Sequence, residues 1–334
     1  MTWLSWLRIL FFVILGLLFL VSLLGIVVKG PIGVGSVRQK VDVEVSPQRL
    51  RDAVDALCFR FTPRDYLHTE NLNRAAEWIA EKLRESGLRV EIQQYELAQG
   101  RYRNVVAFRA GADPEAPARV LGAHYDAYGE FPGANDNASG VAVLLELVRT
   151  LPDRPARGDQ YFVAFSTEEP PFFGSADMGS AAFARDLQRR GVEIDLMVAL
   201  DLVGYYSDEP GSQRFPLPGL GLLYGNTANF IAVVGDLRSG TEIKLVKQRL
   251  SVSNELPVQS FRAPAAVPGI NWSDNFSFRN LGLPGVLVTD TAFMRYPHYH
   301  TERDTPEKLD YDRMANLVVA LHGLFAGQPP VTTN

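Results

Sequence analysis

The stretch GAHYDAYGEFPGANDNASG, Gly122–Gly140, decides how the rest of the chain is read. The run that leads into it, RVLGAHYD from Arg119, is largely apolar, as expected of a strand buried on both faces of a sheet. The run that leaves it, GVAVLLELVRTLP from Gly140, has the apolar spacing of an amphipathic helix that begins just after Ser139. Strand, loop and helix thus follow one another. The loop between them is rich in glycine and asparagine, and the segment carries His124, Asp126 and Asp136.

The same alternation continues outward. SPQRLRDAVDALCFRF reads as a helix behind a Ser-Pro start, and TENLNRAAEWIAEKLRESG as a second, capped by Thr69 and closed by Gly87. LRVEIQQYEL, YRNVVAFRA, QYFVAFST, DLMVALDLVG, NFIAVVGD and LPGVLVTD read as strands. GSAAFARDLQRRG reads as a helix, and TPEKLDYDRMANLVVALHGLF as a closing helix. Strands alternating with helices imply a mostly parallel sheet with helices on both faces. Two Gly- and Pro-rich stretches, DEPGSQRFPLPGLG and FRAPAAVPG, are too long for simple turns and are candidate pocket walls, with Tyr205 and Tyr206 beside them.

In such a sheet ligands bind beyond the carboxyl ends of the strands. His124 and Asp126 end one strand, Glu168 and Glu169 the next, and Asp201 a third. Asp136 lies in the loop before a helix, and His300 precedes the last helix. Singly, each has an ordinary reading: a helix-start aspartate, a solvated acidic pair, a surface histidine. Their recurrence at strand ends favours a metal site. Zinc accepts imidazole nitrogen and carboxylate oxygen, and a two-metal site needs a bridging carboxylate, for which Asp136 is placed. One glutamate of the adjacent pair can bind metal while the other stays free as a base. Asp126 can accept the second imidazole N–H of His124.

Composition narrows the alternatives. The chain has 334 residues, 46% hydrophobic and 21% charged, an ordinary globular usage. A net charge of −5 gives no reason to expect a nucleic-acid partner. Cys58 is the only cysteine, so an internal disulfide and a Cys-based zinc site are both excluded. At the N-terminus, Ile9–Val28 is a run of 20 uncharged residues with one serine. At about 1.5 Å per residue it spans a bilayer core, with Trp3 and Trp6 where an aromatic belt would lie. It has no polar face and only a poor cleavage site behind it, so it reads as a retained transmembrane anchor rather than a core helix or a signal peptide. The expected division is an anchor over 1–30, a linker over 31–46 and a catalytic domain over 47–328.

GAHYD, PGANDNASG, STEEP, ALDLVG and HTERDT, in this order, resemble the M28 peptidases, a dizinc aminopeptidase family, over about residues 50 to 326. The resemblance implies an α/β/α sandwich with a mixed, mainly parallel sheet. It implies two Zn2+ ions, one on His124, Asp136 and Asp201 and the other on Asp136, Glu169 and His300, with Glu168 as general base and peptides as substrates. Relatives often follow the Ser-Asp of SDNFSF with His where this chain has Asn275, and the EEPPFFGSADMGS link is longer and richer in proline. A glutaminyl-cyclase-like transferase on the same fold and a non-catalytic tethered binding domain are the alternatives; the intact Glu168 and complete ligand set oppose the second. His68 and His322 read as structural, and His298 as the one competitor of His300. Arg8 on one side of the apolar run and Lys29, Arg38 and Lys40 on the other favour a cytoplasmic C-terminal side. Anchored hydrolases of this kind commonly lie outside, and a single-pass membrane protein with its catalytic domain outside the cytoplasm is the expectation.

Overall fold

The computed structural model describes residues 43–216, 219–251 and 255–327, together with Trp3, Trp6, Gly25, Lys29 and Gly30. Apart from Gly25, the anchor expected over Ile9–Val28 lies outside the described residues, as does most of the linker. Among those described, no helix is long and apolar enough to cross a membrane.

Eight strands form one sheet: β1 Arg89–Leu97, β2 Gly100–Arg109, β3 Ala118–His124, β4 Gln160–Phe165, β5 Ile194–Leu200, β6 Ile231–Gly235, β7 Val258–Arg262 and β8 Val286–Thr289. Their order is β1-β2-β4-β3-β5-β8-β6-β7. The central strands β4, β3, β5 and β8 are parallel. The β1–β2 hairpin joins β4 antiparallel, and β6 runs antiparallel to β8 while pairing in parallel with β7. The sheet is mixed, as expected, with four parallel strands at its centre and one further parallel pair, β6–β7, at its edge.

Alternation along the strands divides the core in two. Leu121, Phe162, Val198, Val233 and Val288 point to one face, and Val120, Val163, Met197, Ala232 and Leu287 to the other. The first face is covered by α1 Pro47–Asp55, α2 Thr69–Glu85, α3 Ser139–Thr150, α6 Gly240–Leu250 and α8 Tyr311–Phe325. The second is covered by α4 Gly179–Arg189 and α7 Asn275–Asn280. The short helix α5, Leu220–Tyr224, stands at the β7 side, its Tyr224 hydroxyl donating to Ser260 O at 2.7 Å.

Local chemistry explains several boundaries. Ser46 caps α1 by accepting the Arg49 N–H, with Pro47 in the first turn. Thr69 is the first helical residue of α2, not its cap. Asp65 instead accepts the amides of Leu67 and His68 ahead of it, at 2.7 and 3.1 Å. The closing helix is shorter than its sequence suggests. Pro306–Lys308 forms a separate 3-10 turn, and Asp310 starts α8 by accepting the Arg313 N–H at 2.9 Å. Helix α6 and strand β7 carry weaker periodicity and were not expected; β7 absorbs Phe261 and Arg262 from what reads as a loop.

Gly122, in the opening stretch, marks a close approach. A Cβ there would lie 2.2 Å from the Phe165 ring, on the face where Phe165 packs against Phe183. Gly122→Ala is therefore expected to lower stability by about 1–3 kcal/mol through overpacking, read as a lower thermal midpoint. An unchanged midpoint would mean that the ring moves aside freely.

Candidate metal centre

The parallel strands bring the sequence-selected residues to one edge. His124 is the last residue of β3, Glu168 and Glu169 follow β4, and Asp201 follows β5. The loop Gly133–Ala138 lies across these strand ends and carries Asp136. It is held by its own polar side chains. Asn135 donates to Asp290 at 2.9 Å and accepts the Gly204 amide at 2.9 Å. Asn137 donates to Leu200 O at 2.8 Å and accepts the amides of Gly140 and Leu202. Ser139 donates to Asn135 O and accepts the Val203 amide. The asparagines of GANDNASG thus satisfy buried backbone groups that would otherwise be costly.

The geometry centres on Asp136. Its Oδ1 lies 3.2 Å from His124 Nε2 and its Oδ2 lies 3.1 Å from His300 Nε2. Asp201 Oδ1 is 3.3 Å from His124 Nε2, and Glu169 Oε2 is 3.3 Å from His300 Nε2. Glu168 Oε2 stands farther off, 3.8 Å from His124 Nε2. Among the described residues, His124, Asp136 and Glu169 offer ligand atoms that all fall within 4.8 Å of one another. Four buried carboxylates face two imidazoles, and Glu169 Oε1 has no hydrogen-bond partner among the described residues. Such a concentration of acid in a buried site calls for a cation. Two imidazoles and carboxylate oxygens without sulfur suit zinc.

Electrostatics follow from the crowding. Burial pushes Glu169 up to about 8, and the neighbouring Asp136 adds to the shift. Burial likewise carries Glu168 well above the usual carboxylate range, with Asp201 and Glu169 adding to it. Burial opposes a charge on His300, but its hydrogen bonds to Asp136 and Glu169 outweigh this and raise it to about 10. Burial also opposes a charge on His124, yet Glu168 and Asp201 hold it well above its ordinary value. Asp136, between the two imidazoles, is held low despite its burial. Thr167, Leu202 and His300 have φ of 58°, 50° and 55°, so the backbone is in the left-handed region at or beside three of the selected residues. Each such residue costs on the order of 1–3 kcal/mol, as is common at functional sites.

Several supports were not visible in the sequence. His300 is stacked between Tyr128 and Tyr299, with ring centroids at 4.1 and 3.8 Å. Arg64 is buried and donates to the carbonyls of Tyr125, Pro132 and Gly133, tying down the loop between His124 and Asp136. Asp304, in HTERDT, accepts the amides of Asn135 and Asp136 at 2.8 and 3.1 Å and the Tyr296 hydroxyl at 2.7 Å. Asp126 meets the second ring nitrogen of His124 with two of its oxygens. His124 Nδ1 meets the main-chain oxygen of Asp126 at 3.2 Å, with the carboxylate at 3.4 Å. That carboxylate accepts the amides of Glu168 and Glu169, so it also positions the acidic pair.

His298 packs edge-on against Tyr296 and His322 faces Thr150 O, so neither joins the cluster. A cavity opens on the cluster. Gln213, Phe215 and Leu220 from the first candidate loop line it, with Phe261, Pro268 and Gly269 from the second, and Pro170 and Phe173 from the proline-rich link. Tyr205 and Tyr206 do not; they pack on Tyr296 and beside Arg295. Asn275 is buried and donates to Asn271, away from the cavity lining.

A sheet that gathers imidazoles and carboxylates at its strand ends, beside an apolar cavity, has the build of a metal-dependent hydrolase. The family model described as Peptidase family M28 matches residues 104–323, and the chain belongs to that family. It is 41% identical over 281 residues to the protein YfbL of Escherichia coli (strain K12), across 82% of this chain and 85% of that one. BSAP, a zinc aminopeptidase from Bacillus subtilis, superposes with a TM-score of 0.65 at 15% identity, over 86% of this chain and 96% of its own. A glutaminyl cyclase from Bacteroides thetaiotaomicron superposes with a TM-score of 0.63 at 18% identity, over 86% and 99%. At these identities both solved structures establish the fold alone.

Asp304 is expected to act through the Asp136 loop. Asp304→Ala should weaken zinc affinity by about 10–100-fold, measured by competition with a chromogenic chelator. An affinity equal to that of the parent protein would show that the loop holds Asp136 without it.

Proposed function

We propose that the protein is a zinc-dependent aminopeptidase that removes N-terminal residues from peptides, tethered to a membrane by its N-terminal apolar run with the catalytic domain outside the cytoplasm. The single observation that carries the chemistry is Asp136, with one carboxylate oxygen on each of two imidazoles. In this reading His124, Asp136 and Asp201 hold one zinc ion, and Asp136, Glu169 and His300 hold a second. Zinc in such a site supplies Lewis acidity, which polarises a carbonyl and acidifies water.

The chain's own residues do the rest. Glu168 accepts a proton from the attacking water and delivers it to the leaving amine. Burial, with Asp201 and Glu169 nearby, raises its proton affinity above that of an ordinary carboxylate. Asp126, by accepting the amides of both glutamates, keeps Glu168 and Glu169 in fixed relation to His124. The tyrosines on either face of His300 hold its ring in plane with Asp136 and Glu169. The cavity receives the N-terminal side chain and excludes water from the scissile bond.

Two neighbouring glutamates should fail differently. Glu168→Gln is expected to keep its zinc and lose a factor of about 10²–10⁴ in kcat on leucine p-nitroanilide, with little change in affinity for a competitive inhibitor. Glu169→Gln is expected to lose zinc from one site together with activity. Loss of zinc from the Glu168 variant alone would reverse the two roles. Full activity in both would place the chemistry elsewhere, and release of ammonia with pyroglutamate formation from a glutaminyl peptide, in place of hydrolysis, would make the protein a cyclase.

A further inference from the structure

The cavity beside the metal centre is deeper than one side chain requires. Its volume is about 270 Å³, whereas an apolar void of roughly 150 Å³ already holds a benzene ring. Its floor is the sheet. The Asp201 amide bonds to Val288 O at the end of β8. From there Thr289 of β8 pairs with Ala232 of β6, and Ala232 with Gln259 of β7. All four of Asp201, Thr289, Ala232 and Gln259 line the cavity. Strands lie about 4.8 Å apart, so the floor runs roughly 14 Å from Asp201 to Gln259.

The lining is chemically simple. Among the described residues that form it, only those of the metal centre can carry charge. Tyr224 lines the far end, its ring stacked on Phe215 with centroids 5.7 Å apart. Behind that wall sits the segment that follows the apolar N-terminal run. The Lys29 ammonium lies 5.3 Å over the Tyr224 ring and donates to Leu223 O at 2.7 Å. Ser260 donates to Lys29 O at 3.0 Å. On the same short helix Leu222 is 93% exposed. That end of the cavity therefore lies toward Lys29.

We propose that this cavity is an acyl-chain site, and that the enzyme also hydrolyses amides whose acyl group is a long unbranched aliphatic chain. The chain lies along the floor from Asp201 toward Gln259, with the amide carbonyl at the metal centre. A neutral lining that extends along three strand spacings suits such a chain, and burial of each methylene adds to binding. The reaction balances as a hydrolysis. The water oxygen bonds to the carbonyl carbon, the amide C–N bond breaks, and the water proton passes through Glu168 to the departing nitrogen. The products are a fatty acid and a free amine. This rests on the hydrolytic reading above and extends it to a second substrate class.

The test uses the full-length, zinc-loaded protein in detergent with N-acetyl-, N-octanoyl- and N-dodecanoyl-glycine, following release of glycine, and with leucine p-nitroanilide as reference. Expected is a rise in kcat/KM of about tenfold or more from acetyl to dodecanoyl. Ala232 stands two strand spacings, about 10 Å, from Asp201, so Ala232→Phe and the milder Ala232→Leu should cut across the chain's path. Both should lower the dodecanoyl-to-leucyl ratio of kcat/KM, the first by about tenfold. Calorimetric titration of the full-length protein with 1-dodecanol, a neutral chain that carries no acid into the carboxylate cluster, should show binding that Ala232→Phe weakens, a readout independent of turnover. Cleavage of leucine p-nitroanilide without any dodecanoyl cleavage would overturn the acyl proposal and leave the peptidase reading standing. A ratio unmoved by both Ala232 variants would overturn it as well. No cleavage of either substrate by zinc-loaded protein would overturn the hydrolytic reading, and this proposal with it.

Discussion

Everything at the site depends on placing Asp136 between two imidazoles in a buried, acid-rich environment. Asp136, Glu168, Glu169 and Asp201 are each no more than 5% exposed. Mutual repulsion and lost hydration oppose that gathering. What counters them is a rigid frame: three strand ends that cannot splay apart and a loop whose amides and side chains are bonded to those ends. The strained backbone at Thr167, Leu202 and His300 belongs to the same account. A site assembled at this cost is built for cations.

That frame reaches well beyond the ligands. Asp304 grips the Asp136 loop from the HTERDT segment, so the piece of chain that brings His300 also fixes the carboxylate His300 meets. Arg64, far away in sequence, grips the other end of the same loop through three carbonyls. Asp126 joins β3 to the acidic pair after β4. Each support joins segments distant in sequence, and each acts on the backbone. The selected residues therefore move as a unit or not at all.

Much of this was legible in the sequence, for identifiable reasons. Buried parallel strands are continuous apolar runs, and ligands at their ends are abrupt polar interruptions, so His124, Glu168, Glu169 and Asp201 stand out. The turn residues around Asp136 mark its loop. Strand β7 and helix α6 were missed because the sheet is ending there: β7 is half-buried along most of its length, and its alternation is blurred. Arg64, Asp304 and the tyrosines flanking His300 were missed for another reason. Their roles are contacts between distant segments, and a buried arginine or a stacking tyrosine leaves no periodic trace. The cavity's length is a property of strand register across β8, β6 and β7, which no local pattern encodes.

The central claim is that Asp136 bridges two zinc ions. The most direct measurement is anomalous scattering at the zinc edge from crystals of the zinc-loaded protein. The account predicts two peaks per chain on either side of the Asp136 carboxylate, one also bounded by His124 and Asp201 and the other by Glu169 and His300. A single peak, or zinc bound at any other place with this cluster empty, would contradict it.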